Sequence, residues 1–238
     1  MPSLPGVRAV TYDLWLTLLE DRDPGQTARV RAEAVAGVIG GPVEAADRLL
    51  SAAQRELRSA HEQGQGRSVP ELATLLLREC GHETAAVDAV VEAMDSATSA
   101  ASVRLLPGAR DVIERLGAAG LPLGLVCDTG LTSGARLRVV LDDLGLLDAF
   151  AVTVFSDECG TPKPSGRPFA LVLEGTGVEA AQAVHVGDKR RRDVAGARAA
   201  GMTAVRYRGC RDDPDTDAPD ADHVVDAHED VLHLLGVD

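Results

Sequence analysis

Val7-Arg-Ala-Val-Thr-Tyr-Asp13-Leu-Trp-Leu-Thr17-Leu18 is the stretch from which the fold can be read. Val7 to Tyr12 is β-branched and apolar, the pattern of a parallel strand buried on both faces. It stops at a carboxylate. An acid at the end of a buried strand is costly to desolvate unless a cation or hydrogen bonds meet it. Asp13 is therefore the first candidate functional residue.

Beyond about Asp23 the pattern becomes helical. Thr27–Ile39, Val43–Gln63, Val69–Glu79 and Thr84–Thr98 carry apolar residues at three- and four-residue spacing, separated by Gly40-Gly41-Pro42, by Gly64 to Gly66 and by Gly81. Four helices without a strand imply a small bundle. After Pro107 the chain alternates. A helix to about Ala119 is followed by strands at Pro122–Cys127, Ala151–Phe155, Ala183–Val186, Thr203–Arg206 and His223–Val225. Helices at about Ser133–Leu144, Pro168–Gly175 and Asp193–Ala200 lie between them. Such repeats imply an α/β fold, a doubly wound, Rossmann-like parallel sheet covered on both faces. The expected organisation is a catalytic core of residues 1–18 and 104–238, interrupted by an α-helical bundle cap at 19–103.

Composition narrows the function classes. The 238 residues include 24 basic and 37 acidic ones, a formal charge of −13, and only 3% are aromatic. Nucleic-acid binding needs a basic face and stacking aromatics, and anionic membranes repel such a chain, so neither partner is expected. No run of 18 apolar residues occurs and the N-terminus carries no signal-peptide pattern. Cys80, Cys127, Cys159 and Cys210 form no CxxC pair, which suits a reducing, cytoplasmic setting. Arg211 to Asp222 reads as a solvated acidic loop. Of the basic residues only Lys163 and Lys189 are lysines. A lysine kept against that bias suggests a need for an ammonium group.

In an open parallel sheet ligands bind beyond the carboxyl ends of the strands. Four polar sites fall there: Asp13 to Thr17, Cys127-Asp128-Thr129-Gly130, Lys163 between Pro162 and Pro164, and Gly187-Asp188 followed by Asp193. In this order and spacing they resemble the haloacid dehalogenase superfamily of hydrolases, over nearly the whole chain and including a helical cap after the first strand. The resemblance implies Asp13 as nucleophile and Lys163 as the ammonium that offsets negative charge. It also implies a Mg2+ site made by Asp13, Asp188, Asp193 and the backbone carbonyl of Trp15. Thr17, Asp128, Thr129 and Lys163 are the expected substrate contacts. Cys127 stands where the family usually has a hydroxyl, so Cys127 and Thr129 share that catalytic position as candidates.

Many phosphatases of the family carry a second Asp two residues after the nucleophile, as general acid and base. Here that residue is Trp15, whose indole N–H cannot exchange a proton near neutral pH. His61, His82, Glu20 and Asp21 are candidate acids from the cap side, and Arg22, Arg29, Arg55 and Arg67 candidate anion contacts. The expected function is magnesium-dependent hydrolysis of a small phosphorylated metabolite through an aspartyl-phosphate, by a monomer or homodimer. Two alternatives stay open: dehalogenase-like carbon–halogen hydrolysis, in which halide leaves without a proton, and a catalytically silent homologue that binds a ligand or partner. A Schiff-base route through a cap lysine is closed, because residues 19–103 contain no lysine.

Overall fold

The computed structural model describes residues 4–81 and 84–237. Its main sheet has six parallel strands in the order β5-β4-β1-β6-β7-β8. These are β1 (Ala9–Tyr12), β4 (Leu123–Cys127), β5 (Phe150–Phe155), β6 (Ala183–Gly187), β7 (Thr203–Tyr207) and β8 (His223–Val225). Every strand expected from the apolar runs is present. β1 lies where strand order reverses, flanked by β4 and β6, and Asp13 follows directly from its end, its N–H donating to Val186 O at 2.8 Å.

Helices α5 (Ala109–Ala118), α6 (Gly134–Asp143), α8 (Gly166–Thr176), α9 (Ala195–Ala199) and α10 (His228–Leu235) join or follow the strands, with a single turn, α7 (Ser156–Cys159), after β5. The largest apolar cluster packs Val10, Leu125, Val186 and Val205 of the sheet against Val112, Ile113, Leu116 and Leu232. The terminal helix α10 was not among the expected elements.

Between β1 and α5 lie the four expected helices: α1 (Pro24–Ile39), α2 (Val43–Glu62), α3 (Val69–Glu79) and α4 (Val87–Ser96). Their start signals are local. Asp23 caps α1 through Gln26 N–H, and Ser68 and Glu71 form a reciprocal capping box on α3. Their inward faces, including Val35, Leu50, Leu57, Leu72, Leu76 and Met94, form a separate cluster with Leu131 of the core side. The bundle is tethered by an antiparallel ribbon absent from the sequence reading, β2 (Leu19–Asp21) with β3 (Val103–Leu105). Asp95 reaches across to Ser133, accepting from its N–H at 2.7 Å and its hydroxyl at 2.5 Å. Arg136 Nε donates to Thr98 O at 2.7 Å. No helix among the described residues is long and apolar enough to cross a membrane.

His228, at the start of α10, is buried and stacks on Tyr207 with ring centroids 4.4 Å apart. Burial, opposed only by a weaker interaction with the Thr17 backbone, pushes its imidazole from 6.5 down to about 4. The unfolded chain therefore binds this proton more readily. The stability held above pH 6.5 is lost as pH falls towards 4. Replacing His228 by Phe keeps the stack and removes the titration. Urea unfolding at pH 7.5 and pH 5 should show the wild type losing about 2 kcal/mol more than the variant between the two.

Candidate active site

The carboxyl ends of β1, β4 and β6 bring the sequence candidates together. Lys163 Nζ lies 2.5 Å from Asp13 Oδ1, 2.6 Å from Asp193 Oδ1 and 2.9 Å from Val126 O. An ammonium has three protons, and all three are used. Asp13, Asp188 and Asp193 offer oxygens within 4.8 Å of one another, and all three are buried. Thr17 donates its hydroxyl to Asp13 Oδ2 at 3.3 Å.

The loop after β1 is bent to make this possible. Leu16 adopts φ +60°, rare for a non-glycine residue, and its N–H donates to Leu19 O at 2.8 Å. Such a conformation costs about 1–3 kcal/mol, and the turn it makes leaves Trp15 lining the site.

Asp193 is held from three sides. Its Oδ1 takes Lys163 and lies 3.1 Å from His185 Nε2, while Oδ2 accepts the Lys189 N–H at 2.9 Å. His185 in turn has Nδ1 2.8 Å from the Thr11 hydroxyl. A carboxylate at Nε2 assigns the proton to that nitrogen, leaving Nδ1 to accept from Thr11. His185 was missed in the sequence, where a histidine inside Ala-Val-His-Val-Gly reads as core.

Burial raises the Asp13 carboxyl to about 8. Lys163 opposes the rise, and the neighbouring Asp193 and Asp188 add to it. Burial acts the same way on Asp193, but Lys163 and His185 outweigh it and hold that group below the usual carboxylate range. One ammonium thus secures one charge and leaves Asp13 short of compensation. Burial also raises Asp188, reinforced by Asp193. Lys189, its Nζ 2.9 Å from Asp188 Oδ2, opposes the rise. Three buried carboxylates with oxygens within 4.8 Å of one another, set against the Lys163 and Lys189 ammonium groups, keep a net negative charge and fit a hard divalent cation such as Mg2+.

Asp128 accepts the Lys163 N–H at 2.8 Å and pairs with Arg192 at 3.4 Å, so it fixes the loop that carries the lysine. Thr129 is buried with its N–H and hydroxyl both on Ser156 Oγ, at 2.9 and 3.0 Å. Cys127 packs into the core. Strand alternation puts it with Leu123 and Leu125 on the core face, it lines neither cavity at the site, and its thiol donates to Asp128 O at 3.6 Å. Burial drives its thiol well above the ordinary range.

A cavity of about 140 Å³ is bounded by Asp13, Trp15, Lys163, Asp188 and Arg192, among others. A larger chamber of about 570 Å³ lies between bundle and sheet, and the two share Trp15, Asp128, Lys189 and Arg192. Both lysines of the chain therefore stand at the site. Of the candidate acids, His61 and Asp21 line the chamber, Glu20 pairs with Arg104 on the ribbon, and His82 lies outside the described residues. The expected arginines are elsewhere. Arg22 donates to Val103 O, Arg29 pairs with Glu33, Arg67 pairs with Glu56, and Arg55 borders a neighbouring groove that Arg58 also lines. Arg31, Arg58 and Arg192 face the chamber instead.

The model of the haloacid dehalogenase-like hydrolases matches residues 7–201. The chain belongs to this family. It is 31% identical to the glyceraldehyde 3-phosphate phosphatase of Methanopyrus kandleri over 206 residues, 85% of this chain and 84% of that protein. A ribulose-1,5-bisphosphate 5-phosphatase of Halopiger xanaduensis is 31% identical over 138 residues, 55% of this chain and 56% of the relative. The phosphoglycolate phosphatase of Rhodospirillum rubrum is 40% identical over 105 residues, 44% of this chain and 42% of the relative. The chain thus spans about half the length of these last two. A HAD phosphatase from Thermococcus onnurineus has the same fold, with TM-score 0.71, 22% identity, and coverage of 98% of this chain and 99% of that one. A 2-haloacid dehalogenase from Pseudomonas syringae superposes nearly as well, with TM-score 0.70, 24% identity, and coverage of 97% and 98%. The fold is shared by both chemistries. The protein is a hydrolase of this family, with relatives named as phosphatases.

Removing the ammonium leaves buried carboxylates unpaired. Lys163→Met is expected to lower stability by about 3 kcal/mol in chelator at pH 7.5, and Asp13→Asn in that background to recover part of it. Denaturant midpoints of the two variants against wild type check both.

Proposed function

We propose that this hydrolase is a magnesium-dependent phosphatase of small phosphorylated metabolites, with Asp13 as its nucleophile. The observation that carries the reading is the Lys163 ammonium bridging Asp13 and Asp193, with Asp188 within reach of both. Residues 1–18 and 104–238 form the catalytic core, and 19–103 the cap that excludes water during attack. Asp13, Asp188, Asp193 and the Trp15 carbonyl are the proposed cation ligands. When bound, Mg2+ neutralises the carboxylates and the incoming phosphoryl oxygens.

An Asp13 oxygen attacks phosphorus while Lys163 holds the carboxylate in place. The bond from Asp13 to phosphorus forms and the ester O–P bond breaks, with the electron pair leaving on the alcohol oxygen. Water then attacks phosphorus and gives up a proton to solvent, the Asp13–phosphorus bond breaks, and inorganic phosphate and the free carboxylate are released, the alcohol oxygen having taken its proton from solvent. Neither proton transfer has the usual carboxylate, because Trp15 stands in its place. Leaving groups that depart as stable anions, such as aryl or acyl phosphates, are therefore the better substrates. The free thiols fit a reducing cytoplasm.

A second reading is favoured by the same Trp15, since carbon–halogen hydrolysis needs no acid. The surplus of buried carboxylates over the two ammonium groups weighs against it, because a metal-free reaction leaves that charge uncompensated.

Wild type should hydrolyse p-nitrophenyl phosphate with magnesium and lose this activity in EDTA. Asp13→Asn should abolish it. General acid help is worth roughly 10²–10⁴-fold, so the aryl-to-alkyl ratio in kcat/KM should exceed 100 and narrow in Trp15→Asp. Chloride release from 2-chloropropionate without metal would establish the second reading instead.

A further inference from the structure

The loop between β7 and β8 carries six aspartates within residues 211–222, and in sequence it reads as solvated acid. The structure turns it inward. Five of the six reach partners outside the loop. Asp212 and Asp220 grip Arg206 of β7, which is 2% exposed, and the Asp220 contact is bidentate at 2.6 and 3.0 Å. Asp222 holds Arg198 of α9, and Asp215 pairs with Arg191. Asp220 Oδ2 also accepts from Arg190 at 2.9 Å. Asp213, itself buried, accepts the Arg190 backbone N–H at 2.8 Å. Arg190 and Arg191 stand between Asp188 and Asp193. The loop therefore clamps the segment that carries two of the three clustered carboxylates.

What the clamp does follows from the backbone donors. Arg190–Val194 is a helical turn, and the first N–H groups of such a turn have no partner within it. Here they belong to Lys189 and Arg190. One is met from inside, because Asp193 Oδ2 reaches back to the Lys189 N–H at 2.9 Å. The other is met by Asp213. An Arg190 N–H left without that acceptor would compete for the carboxylate already capping the turn, whose other oxygen is held by Lys163 at 2.6 Å. Exposed ion pairs such as Arg191 with Asp215 are worth little. The effect is therefore concentrated in Asp213 and in Asp220, which joins two mostly buried guanidinium groups.

We propose that Asp213, braced by Asp220, is a positioning residue for the active site: by capping the Arg190 N–H it leaves the Asp193 carboxylate to Lys163 and to the divalent cation. The proposal rests on the cation reading for the metal alone, since the hold on the turn can be measured without metal.

Two measurements on Asp213→Ala, Asp213→Asn, Asp215→Ala and Asp220→Ala provide the test, with urea midpoints checking that each variant folds. In EDTA, amide exchange read by mass spectrometry should be roughly tenfold faster in Asp213→Ala over residues 189–194, with the β6 peptide unchanged. Calorimetric titration with Mg2+ should show its Kd raised roughly tenfold in the same variant. Asp213→Asn keeps an oxygen that accepts the N–H and should stay close to wild type in both. Asp215→Ala removes the same charge from the same loop and should also stay close. Asp220→Ala, at a half-exposed position, loosens the brace alone and should shift both readouts in the same direction as Asp213→Ala, by less. Unchanged exchange in Asp213→Ala overturns the proposal, and if that variant does not fold, unchanged exchange in Asp220→Ala does so. An Asn variant as impaired as the Ala variant, or an equal loss in Asp215→Ala, also overturns it, since charge and not the hydrogen bond would then be the cause. The expected exchange pattern in a protein that binds no Mg2+ would overturn the cation reading and leave the clamp standing. Mg2+ binding that Asp213→Ala leaves unchanged would do the reverse.

Discussion

Lys163 is the group on which the rest of the site depends. Buried ammonium groups are tolerated only when every proton finds an acceptor and the charge is met. Here the three acceptors come from three parts of the chain, at positions 13, 126 and 193. Satisfying them brings the ends of β1 and β4 and the loop after β6 together. Asp128 holds the lysine's own backbone, and His185 and Thr11 back Asp193 from behind. The lysine therefore sets both the position of Asp13 and its electrostatics. An arginine could not replace it, because a planar fork of five donors does not fit a compact three-way site.

That arrangement leaves a charge imbalance. Asp193 keeps its negative charge while Asp13, equally close to the ammonium, is pushed towards protonation by burial and by two acidic neighbours. A protonated carboxyl is a poor nucleophile. Added positive charge would hold Asp13 ionised. Three carboxylates within reach of one another, facing the two ammonium groups of Lys163 and Lys189, call for that added charge. A divalent ion and the nucleophile would then be coupled, one neutralising the surplus that prevents the other from working.

Much of this was legible beforehand. Apolar runs ending in acids placed β1, β4 and β6 and their polar tips, because strand burial and strand-end chemistry leave strong marks in composition. Other features leave weak ones. The β2–β3 ribbon is three residues a side, too short for a period to show. Left-handed Leu16 runs against its residue type, and no local rule favours it. His185 works through partners remote in sequence. Cys127 carries two signals, since it closes an apolar strand with Leu123 and Leu125 and also stands at a motif position. The chamber arginines are selected by how the bundle sits on the sheet, so Arg58 and Arg55 look alike in sequence and only one faces the site.

The spacing between Asp188 and Asp193 shows how backbone irregularity serves the chemistry. Five residues along a regular α-helix would rotate a side chain by ~140°. Arg190–Val194 instead forms a π turn, with Val194 N–H donating to Lys189 O at 3.1 Å, and the widened turn absorbs the extra residue. Asp193 is thereby carried back beneath Gly187, where a Cβ would lie 2.3 Å from its carboxyl carbon. Only glycine permits that approach. Asp193 then has no freedom to drift from Lys163, and Lys163 none to drift from Asp13. The precision of the nucleophile is thus traceable to a missing side chain and one widened turn, neither of which would touch a substrate.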